Sequence, residues 1–287
     1  MYLIMTRFKR YKLRSYIVEL ITAFDGVERM PDLGKNVKWP TPPVVLRPLV
    51  EQLKKVHIRW RAKVIRSKMP ALLRESLPEK LAAIGVMRGK RDEWGYIRSW
   101  KGDYLSMAEE VEPPSHPADY LNTMTTLKQK HPFNKVLFSS YFSKFNRHHK
   151  TAHRVIVITE AYVIKLNAEK FKIMQSPIPL ESITQLSISN ESNGLVVLHH
   201  DKNDMVCYLR NNKDEDRVGE IVGVLCSQFE RFHSRKLPVV IAPSLSCVLG
   251  EKKYDLCLLV DPNSKQTTVF KNSGAVISVK TSLIAKL

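Results

Sequence analysis

A stretch near the middle of the chain carries many basic side chains and no acidic ones. Residues 120–159 contain four His, no Asp or Glu, and seven Lys or Arg: Lys128, Lys130, Lys135, Lys144, Arg147, Lys150 and Arg154. Cationic side chains without nearby counter-charges attract an anionic partner. A solvated loop whose charges only keep the protein soluble is the alternative, and the complete absence of acids favours binding.

The same stretch has the pattern of a β-hairpin with a basic loop. Apolar and β-branched residues predict strands at 136–142, 154–159 and 162–166, with polar residues between them. If these strands pair, the charges of Lys144 and Arg154 would project into the same opening, beneath the loop. The sequence therefore predicts an anion-binding site made of Lys144, Arg147, His148, Lys150 and Arg154.

The elements around this hairpin predict the fold class. Further short strands are expected at 171–174, 183–188, 195–200 and 205–209, separated by turn signals. An amphipathic helix follows at 218–235, with acids Asp214, Glu215 and Asp216 at its start. Seven short strands closed by one helix is the layout of a pleckstrin-homology-like antiparallel β-barrel. The last fifty residues add strands at 238–241, 254–260, 266–270 and 276–279.

The N-terminal part is basic and helical. Residues 1–24 form a basic amphipathic helix, typical of a calmodulin target or a membrane-surface helix. Six residues fall in the register of an IQ motif, with Met5 and Arg10 standing where the motif has Gln and Gly. They are Ile4, Met5, Lys9, Arg10, Arg14 and Ile17. An ordinary surface helix with a basic face is the alternative.

Between this helix and the hairpin, residues 25–110 predict a mostly helical region. Trp39, followed by prolines, predicts an extended segment with one aromatic anchor. A helix begins near Pro48, and its apolar stripe is expected to be core: Leu49, Leu53, Val56, Trp60 and Val64. A dense aromatic run is expected to pack this region onto the barrel: Trp94, Tyr96, Trp100 and Tyr104. The predicted domains are 1–24, 25–110, 118–236 and 237–287.

Composition limits the functional classes. The 287 residues carry a net charge of +18, which suits nucleic acid, an anionic membrane or an acidic protein. Nucleic-acid binding is the alternative function, but no nucleic-acid-binding signature accompanies the charge. No metal-ligand spacing, cofactor motif or catalytic arrangement is found, so no enzyme activity is expected. The four cysteines predict reduced, mostly buried thiols, and no apolar run is long enough to span a membrane.

Several segments together resemble the tail of a class I unconventional myosin, of the short-tailed Id type. They are RYKLRSYI, GKNVKWPTPP, HIRWRAKVI, SWKGDYL, FSKFNRHHKTAHRVIVIT, IPLESITQLSISN, GLVVLHH and RVGEIVGVL. The resemblance covers essentially the whole chain, and the order of these segments is more specific than any one of them.

The resemblance implies a tail homology domain that binds acidic phospholipids and phosphoinositides, after the end of a lever that binds calmodulin or a related light chain. Lys144 and Arg154 match the ends of the family's lipid signature, and Ala152 stands where that signature has a basic residue. Because no phosphate loop or other motor element is present, the chain is expected to reach actin only through a motor head that it lacks. Peripheral association with the plasma membrane, cell cortex or endosomes follows. Membrane affinity could also come mostly from the first seventy residues.

Overall fold

The computed structural model describes residues 2–91, 93–145, 150–201, 203–209, 215–260 and 269–281. The helices are α1 (Tyr2–Ala23), α2 (Arg47–Lys68), α3 (Ala71–Glu75), α4 (Leu77–Met87), α5 (Pro117–Lys130) and α6 (Val218–His233). The strands are β1 (Val136–Phe145), β2 (Thr151–Thr159), β3 (Tyr162–Asn167), β4 (Ile178–Pro179), β5 (Ile183–Ser189), β6 (Leu195–His200), β7 (Met205–Tyr208), β8 (Val239–Ala242), β9 (Ser244–Leu249), β10 (Lys252–Val260), β11 (Val269–Ser273) and β12 (Val276–Thr281). The predicted α+β class is confirmed. The chain divides into two compact units, Met1–Arg74 and Glu75–Leu287.

In the first unit, an aromatic cluster holds the segment between α1 and α2. The ring centroids of Phe24 and Trp39 are 4.6 Å apart, and that of His57 on α2 lies 6.0 Å from Trp39. His57 also stacks on Trp60 at 5.7 Å. Trp39 is therefore the aromatic anchor that the sequence predicts, and Phe24 and α2 supply its contacts.

The core stripe predicted on α2 is wrong in part. Three of its members are at least 37% exposed: Leu49, Leu53 and Val56. The face of α2 that packs within the unit instead includes Val50, which is 1% exposed, and two polar residues. Nitrogens of His57 and Arg61 lie 3.1 and 3.3 Å from the carbonyl oxygens of Leu33 and Asp32. An apolar stripe could not reveal this face, because hydrogen bonds to a turn define it.

Among the described strands of the second unit, eight form one sheet in the order β4-β3-β2-β1-β7-β6-β5-β8. β1 pairs with β2 along most of its length, and the last three residues of β1 also pair with β7. The end of β1 therefore joins the two halves of the sheet. One face of these strands and the apolar face of α6 enclose a single core, which includes Phe138, Phe142, Ile156 and Phe229. The sheet is thus wrapped around its core, with α6 covering part of it.

The outer faces of the sheet are also covered. α5 packs on one of them, with Tyr120 and Leu127 in a cluster with Tyr141 and Val157 of β1 and β2. A second sheet, in the order β11-β12-β10-β9, shares another cluster with β6 and β7. β8, predicted as the first strand of the C-terminal extension, pairs in parallel with β5 in the main sheet.

The strand predicted at 171–174 is wrong. Only an isolated bridge joins Leu166 to Ile173, and Phe171 has a φ of 49°, which strand geometry does not allow. The side chain of Asn167 accepts hydrogen bonds from the backbone of the next turn. Phe171 is fully buried against Tyr120, with ring centroids 5.6 Å apart. The apolar residues mark a buried turn here, because one aromatic side chain enters the α5 cluster.

Within the second unit, residues 94–104 pack with α4 and α6, as the aromatic run predicts for this part of the helical region. Trp94, Trp100 and Tyr104 are buried in the main core, whereas Tyr96 is 44% exposed. The N–H of Trp100 donates to the carbonyl of Gly95 at 2.8 Å, so the indole is buried with its polar atom satisfied.

Candidate anion-binding site

Lys144 and Arg154 lie on the same face of the sheet. Lys144 is opposite Ala152 in the β1–β2 pairing, and Arg154 is opposite Phe142. Because side chains alternate along a strand, Lys144 and Phe142 point to one side of β1, and Arg154 shares that side across the pair. Phe142 belongs to the enclosed core, so both cations lie at the end of the inner face. Ala152 lies on the same face, opposite Lys144, and its methyl side chain adds no charge to the site.

The predicted loop residues are only partly described. Arg147 and His148 lie outside the described residues. Lys150 is exposed and directly precedes β2. The part of the site that the structure describes is therefore the pair of strands at its base.

A third cation on this face was missed by the sequence analysis. Lys165 in β3 is opposite Ile156, and Val163 on the same side of β3 belongs to the enclosed core. Its ammonium group donates to the side-chain oxygen of Gln175, and only 9% of the residue is exposed. The sequence does contain a sign of this residue, because a lysine interrupts the apolar run YVIKL. Side chains alternate along a strand, so this lysine points to the same inner side as Val163.

The electrostatic environment of Lys165 is unusual for a lysine. Burial, the positive charge and hydrogen bond of Lys144, and then the charge of Arg154 lower the pKa of Lys165 to about 7. Burial and like charges both disfavour the ammonium form. None of the ion pairs formed between described residues includes Lys144, Arg154 or Lys165. An anion bound here would therefore meet three cations that form no ion pair with a carboxylate of the described residues.

These side chains surround a cleft of about 470 Å³ at the end of the inner face. We call this cleft and its rim the mouth: Lys144, Arg154, Lys165, Gln175, His200 and Met205. Lys144, Lys165, Gln175, His200 and Met205 line the cleft, and Arg154 lies on the same face, near enough for its charge to act on Lys165. Asp204 also lines the cleft, but its carboxylate is paired with His199 and accepts the backbone N–H of Val248. Burial lowers the pKa of His200, which favours its neutral form. The volume and charge suit a phosphorylated headgroup.

His199 and His200 point to opposite faces of β6, as strand geometry requires. On the outer face, the hydroxyl of Ser187 lies 2.8 Å from Nε2 of His199, and Nδ1 of His199 lies 2.9 Å from Oδ2 of Asp204. This is the order of a catalytic triad, but Ser187 is 3% exposed and the same Asp204 oxygen accepts the backbone N–H of Val248 at 2.6 Å. The chain of hydrogen bonds therefore connects the main sheet to β9.

The six IQ-register residues all lie on α1, and all are exposed: Ile4, Met5, Lys9, Arg10, Arg14 and Ile17. At 100° per residue, the exposed apolar residues of this helix point to several sides, among them Ile4, Met5, Phe8, Ile17 and Ile21. The exposed apolar residues therefore do not form the single apolar face of an amphipathic helix, because basic residues lie between them, and Tyr16, 4% exposed, packs within the unit. Such a surface fits a partner that contacts several sides of the helix better than a flat membrane.

Two further predictions concern metals and membranes. No cluster of His, Cys, Asp or Glu suited to a metal ion occurs in the described part of the chain. No helix within that part is both long enough and apolar enough to cross a bilayer. The four cysteines are free, and three of them are buried, as the sequence predicts.

Comparison with known proteins adds to this geometry. The family model described as "Unconventional myosin tail, actin- and lipid-binding" matches residues 91–283. The chain is 37% identical over 277 residues to unconventional myosin-Id of Mus musculus, covering 95% of this chain and 27% of that protein. It is 35% identical over 269 residues to unconventional myosin-Ig of Homo sapiens, covering 92% of this chain and 26% of that protein.

Solved structures give weaker matches. The N-terminal PH domain of human ARAP2 overlaps 32% of this chain and 78% of its own length, with 13% identity and a TM-score of 0.27, too low to bear on the fold. The chain spans about a quarter of the length of the myosins it matches, and the matched family model describes their tail. On the match over residues 91–283, the chain belongs to the class I unconventional myosins, as part of their tail.

Proposed function

We propose that this chain binds anionic phospholipids, phosphoinositides included, through the mouth, and so links an actin-based motor to a membrane. The observation that carries the proposal is the cluster of Lys144, Arg154 and Lys165 on one face, with no carboxylate paired to any of them among the described residues. The printed description of the matched family includes lipid binding. Each basic residue near an anionic leaflet contributes on the order of 1 kcal/mol, so the expected attachment is reversible.

The test is sedimentation of the chain with vesicles of graded anionic content. Phosphatidylserine and phosphoinositide vesicles are compared at equal total charge. Removing two mouth cations in Lys144→Ala/Arg154→Ala should weaken binding by roughly tenfold or more at low salt, and less at high salt, because salt screens the attraction.

A matched control removes the same charge elsewhere. Lys128 and Lys130 are exposed at the end of α5, which packs on the outer face of the sheet. Lys128→Ala/Lys130→Ala should therefore bind almost like the wild type. If the two double variants lose affinity equally, total charge and not the mouth determines binding. If neither loses affinity, the first seventy residues are the membrane-binding part.

We propose that α1 holds calmodulin or a related light chain. Its exposed apolar residues on several sides, interleaved with Lys9, Arg10 and Arg14, support this proposal. Mixing the chain with calmodulin, with and without calcium, and measuring the mass of the complex tests it.

Actin is a second candidate partner of the tail itself. The sequence predicts contact only through the motor head, whereas the description of the matched family includes actin as well as lipid. Co-sedimentation of this chain with actin filaments, with and without anionic vesicles, separates the two possibilities. Binding without vesicles would place an actin-binding surface on the tail.

A further inference from the structure

The inner end of the sheet holds two lysines where one positive charge is easier to accommodate than two. Lys165 is almost fully buried, and the acceptor for its ammonium group is the neutral side-chain oxygen of Gln175. Lys144 lines the same cleft, and Arg154 adds a positive charge from β2. Burial disfavours the charged form of a lysine, so the deeply buried Lys165 is the side chain that we expect to release its proton.

We propose that Lys165 is a proton-linked ligand for a phosphate group: it takes up a proton from solvent when phosphate enters the mouth. This inference rests on the proposed function, because it concerns the same mouth. It goes further in giving Lys165 a role in the mouth and in making the affinity for a phosphomonoester dianion depend on pH. No covalent bond forms or breaks, and the only group transferred is the proton.

The sign of the effect follows from the charges. Without an anion, burial and Lys144 hold the pKa of Lys165 near 7. A phosphate dianion beside Lys165 favours the ammonium form and raises that pKa. Because proton and phosphate binding are then coupled, each strengthens the other by the same factor. Affinity should fall as pH rises above about 7, by roughly tenfold between pH 7 and 8.5.

Other titratable groups facing Lys165 change little in this range. Burial lowers the pKa of His200 on β6 and raises that of the Cys207 thiol on β7 to about 12, so both stay neutral. Arg154 on β2 and Lys144 on β1 are the cations whose charges act on Lys165. The nearby acids Asp201 and Asp204 act on His200. A phosphomonoester has its own second pKa near 6, and neighbouring phosphates raise it, so proton uptake by the probe itself is measured with Lys165→Arg, in which residue 165 does not titrate.

The first test needs no variant. Calorimetry of the full chain with inositol 1,4,5-trisphosphate at pH 7.8, in two buffers of different ionisation enthalpy, measures the protons taken up on binding. We expect a net uptake approaching one proton. Binding without net uptake would overturn proton linkage while leaving the proposed function intact. Absence of binding to both this probe and phosphoinositide vesicles would overturn both.

Two variants assign the proton to Lys165. Lys165→Arg keeps a charge at every pH, so it should retain binding and lose the pH dependence. Lys165→Met fills the same buried space without charge and should bind weakly at every pH. Lys128→Ala/Lys130→Ala serves as the control and should keep the wild-type pH dependence. A wild-type pH dependence in Lys165→Met would overturn the assignment, and circular dichroism verifies that each variant is folded.

A separate arm of the experiment tests whether the phosphate belongs to a membrane lipid or to a soluble molecule. Vesicles containing phosphatidylinositol 4,5-bisphosphate should show the same fall in affinity above pH 7, whereas phosphatidylserine vesicles of equal charge should not. If the soluble probe or inorganic phosphate shows the pH dependence and the vesicles do not, a lipid source is excluded.

Discussion

Glu220 on α6 is a buried carboxylate that accepts hydrogen bonds from the segment before β1. Its two oxygens accept from Nη2 of Arg98 at 2.7 Å, the hydroxyl of Tyr104 at 2.7 Å and the backbone N–H of Gly102 at 2.8 Å. Burial, and then the charge and hydrogen bond of Glu220, raise the pKa of Tyr104, so its phenol remains a donor. A single carboxylate thus holds this segment against the helix.

Removing that carboxylate should be strongly destabilising. Glu220→Ala leaves the buried Arg98 charge and two further donors without their acceptor, and we expect unfolding free energy to fall by about 3–5 kcal/mol. Chemical denaturation measures it. The control is Glu230→Ala, an exposed position on the same helix, which should change stability by less than about 0.5 kcal/mol. Similar losses in both variants would contradict the role given to Glu220.

At the scale of elements, two glycines allow α6 to approach its neighbours. A Cβ at Gly219 would lie 2.0 Å from the carbonyl oxygen of Trp94, and one at Gly223 would lie 2.4 Å from that of Glu79. Both distances are far below van der Waals contact with backbone that cannot simply rotate away. Close packing of α4 and the Trp94 segment on α6 therefore depends on the absence of these side chains.

Gly223→Ala should destabilise the protein although alanine favours helices. Helix propensity alone would stabilise it by about 1 kcal/mol, but overpacking should cost about 1–3 kcal/mol or more. The matched control is Gly85→Ala on α4, where a Cβ meets nothing within 4 Å, and it should raise the midpoint of thermal unfolding. A higher midpoint for Gly223→Ala would contradict the close approach.

The helix α1 gives a prediction about partners. Ile4 and Ile17 stand at the two ends of the IQ register and are 74% and 48% exposed. Ile4→Glu/Ile17→Glu should leave folding unchanged, because both side chains are exposed. It should weaken calmodulin binding by at least tenfold, because a charge would stand where the light chain would bury an apolar side chain. Val44→Glu/Val45→Glu alters exposed residues outside the helix and should bind normally. Equal binding by all three proteins would exclude this register.

At the scale of the whole molecule, positive charge is spread over both halves of the chain. Residues 1–130 carry 25 basic and 14 acidic residues, and residues 131–287 carry 21 and 14, so the differences are +11 and +7. A surface of this kind attracts anionic membranes over about a Debye length, some 10 Å at 0.1 M salt. Long-range attraction belongs to the whole chain, whereas recognition of a phosphate would belong to the mouth.

Much of the fold could be predicted from residue patterns. The alternation in β1, β2, β3, β6 and β7 and the apolar face of α6 are local properties, since each follows from neighbours along the chain. The errors arose where contacts between residues distant in sequence determine the local structure. Phe171 packs in a cluster with α5, and α2 packs through hydrogen bonds of His57 and Arg61. The residues that they contact cannot be identified from the periodicity of their own segment.

The sequence by itself determined the excess of positive charge, the order of strands and helices, the basic hairpin and the resemblance to the myosin tail. These properties depend only on composition and on patterns among residues near one another in the chain. Only the tertiary structure decided which cations meet. Alternation along each strand shows which neighbours in the same strand share a face with Lys144, Arg154 or Lys165. Only the pairing register between the strands shows that these three residues lie on the same face of the sheet. Burial beside Lys144 then gives Lys165 its low pKa, because desolvation and like charge depend on residues distant in sequence.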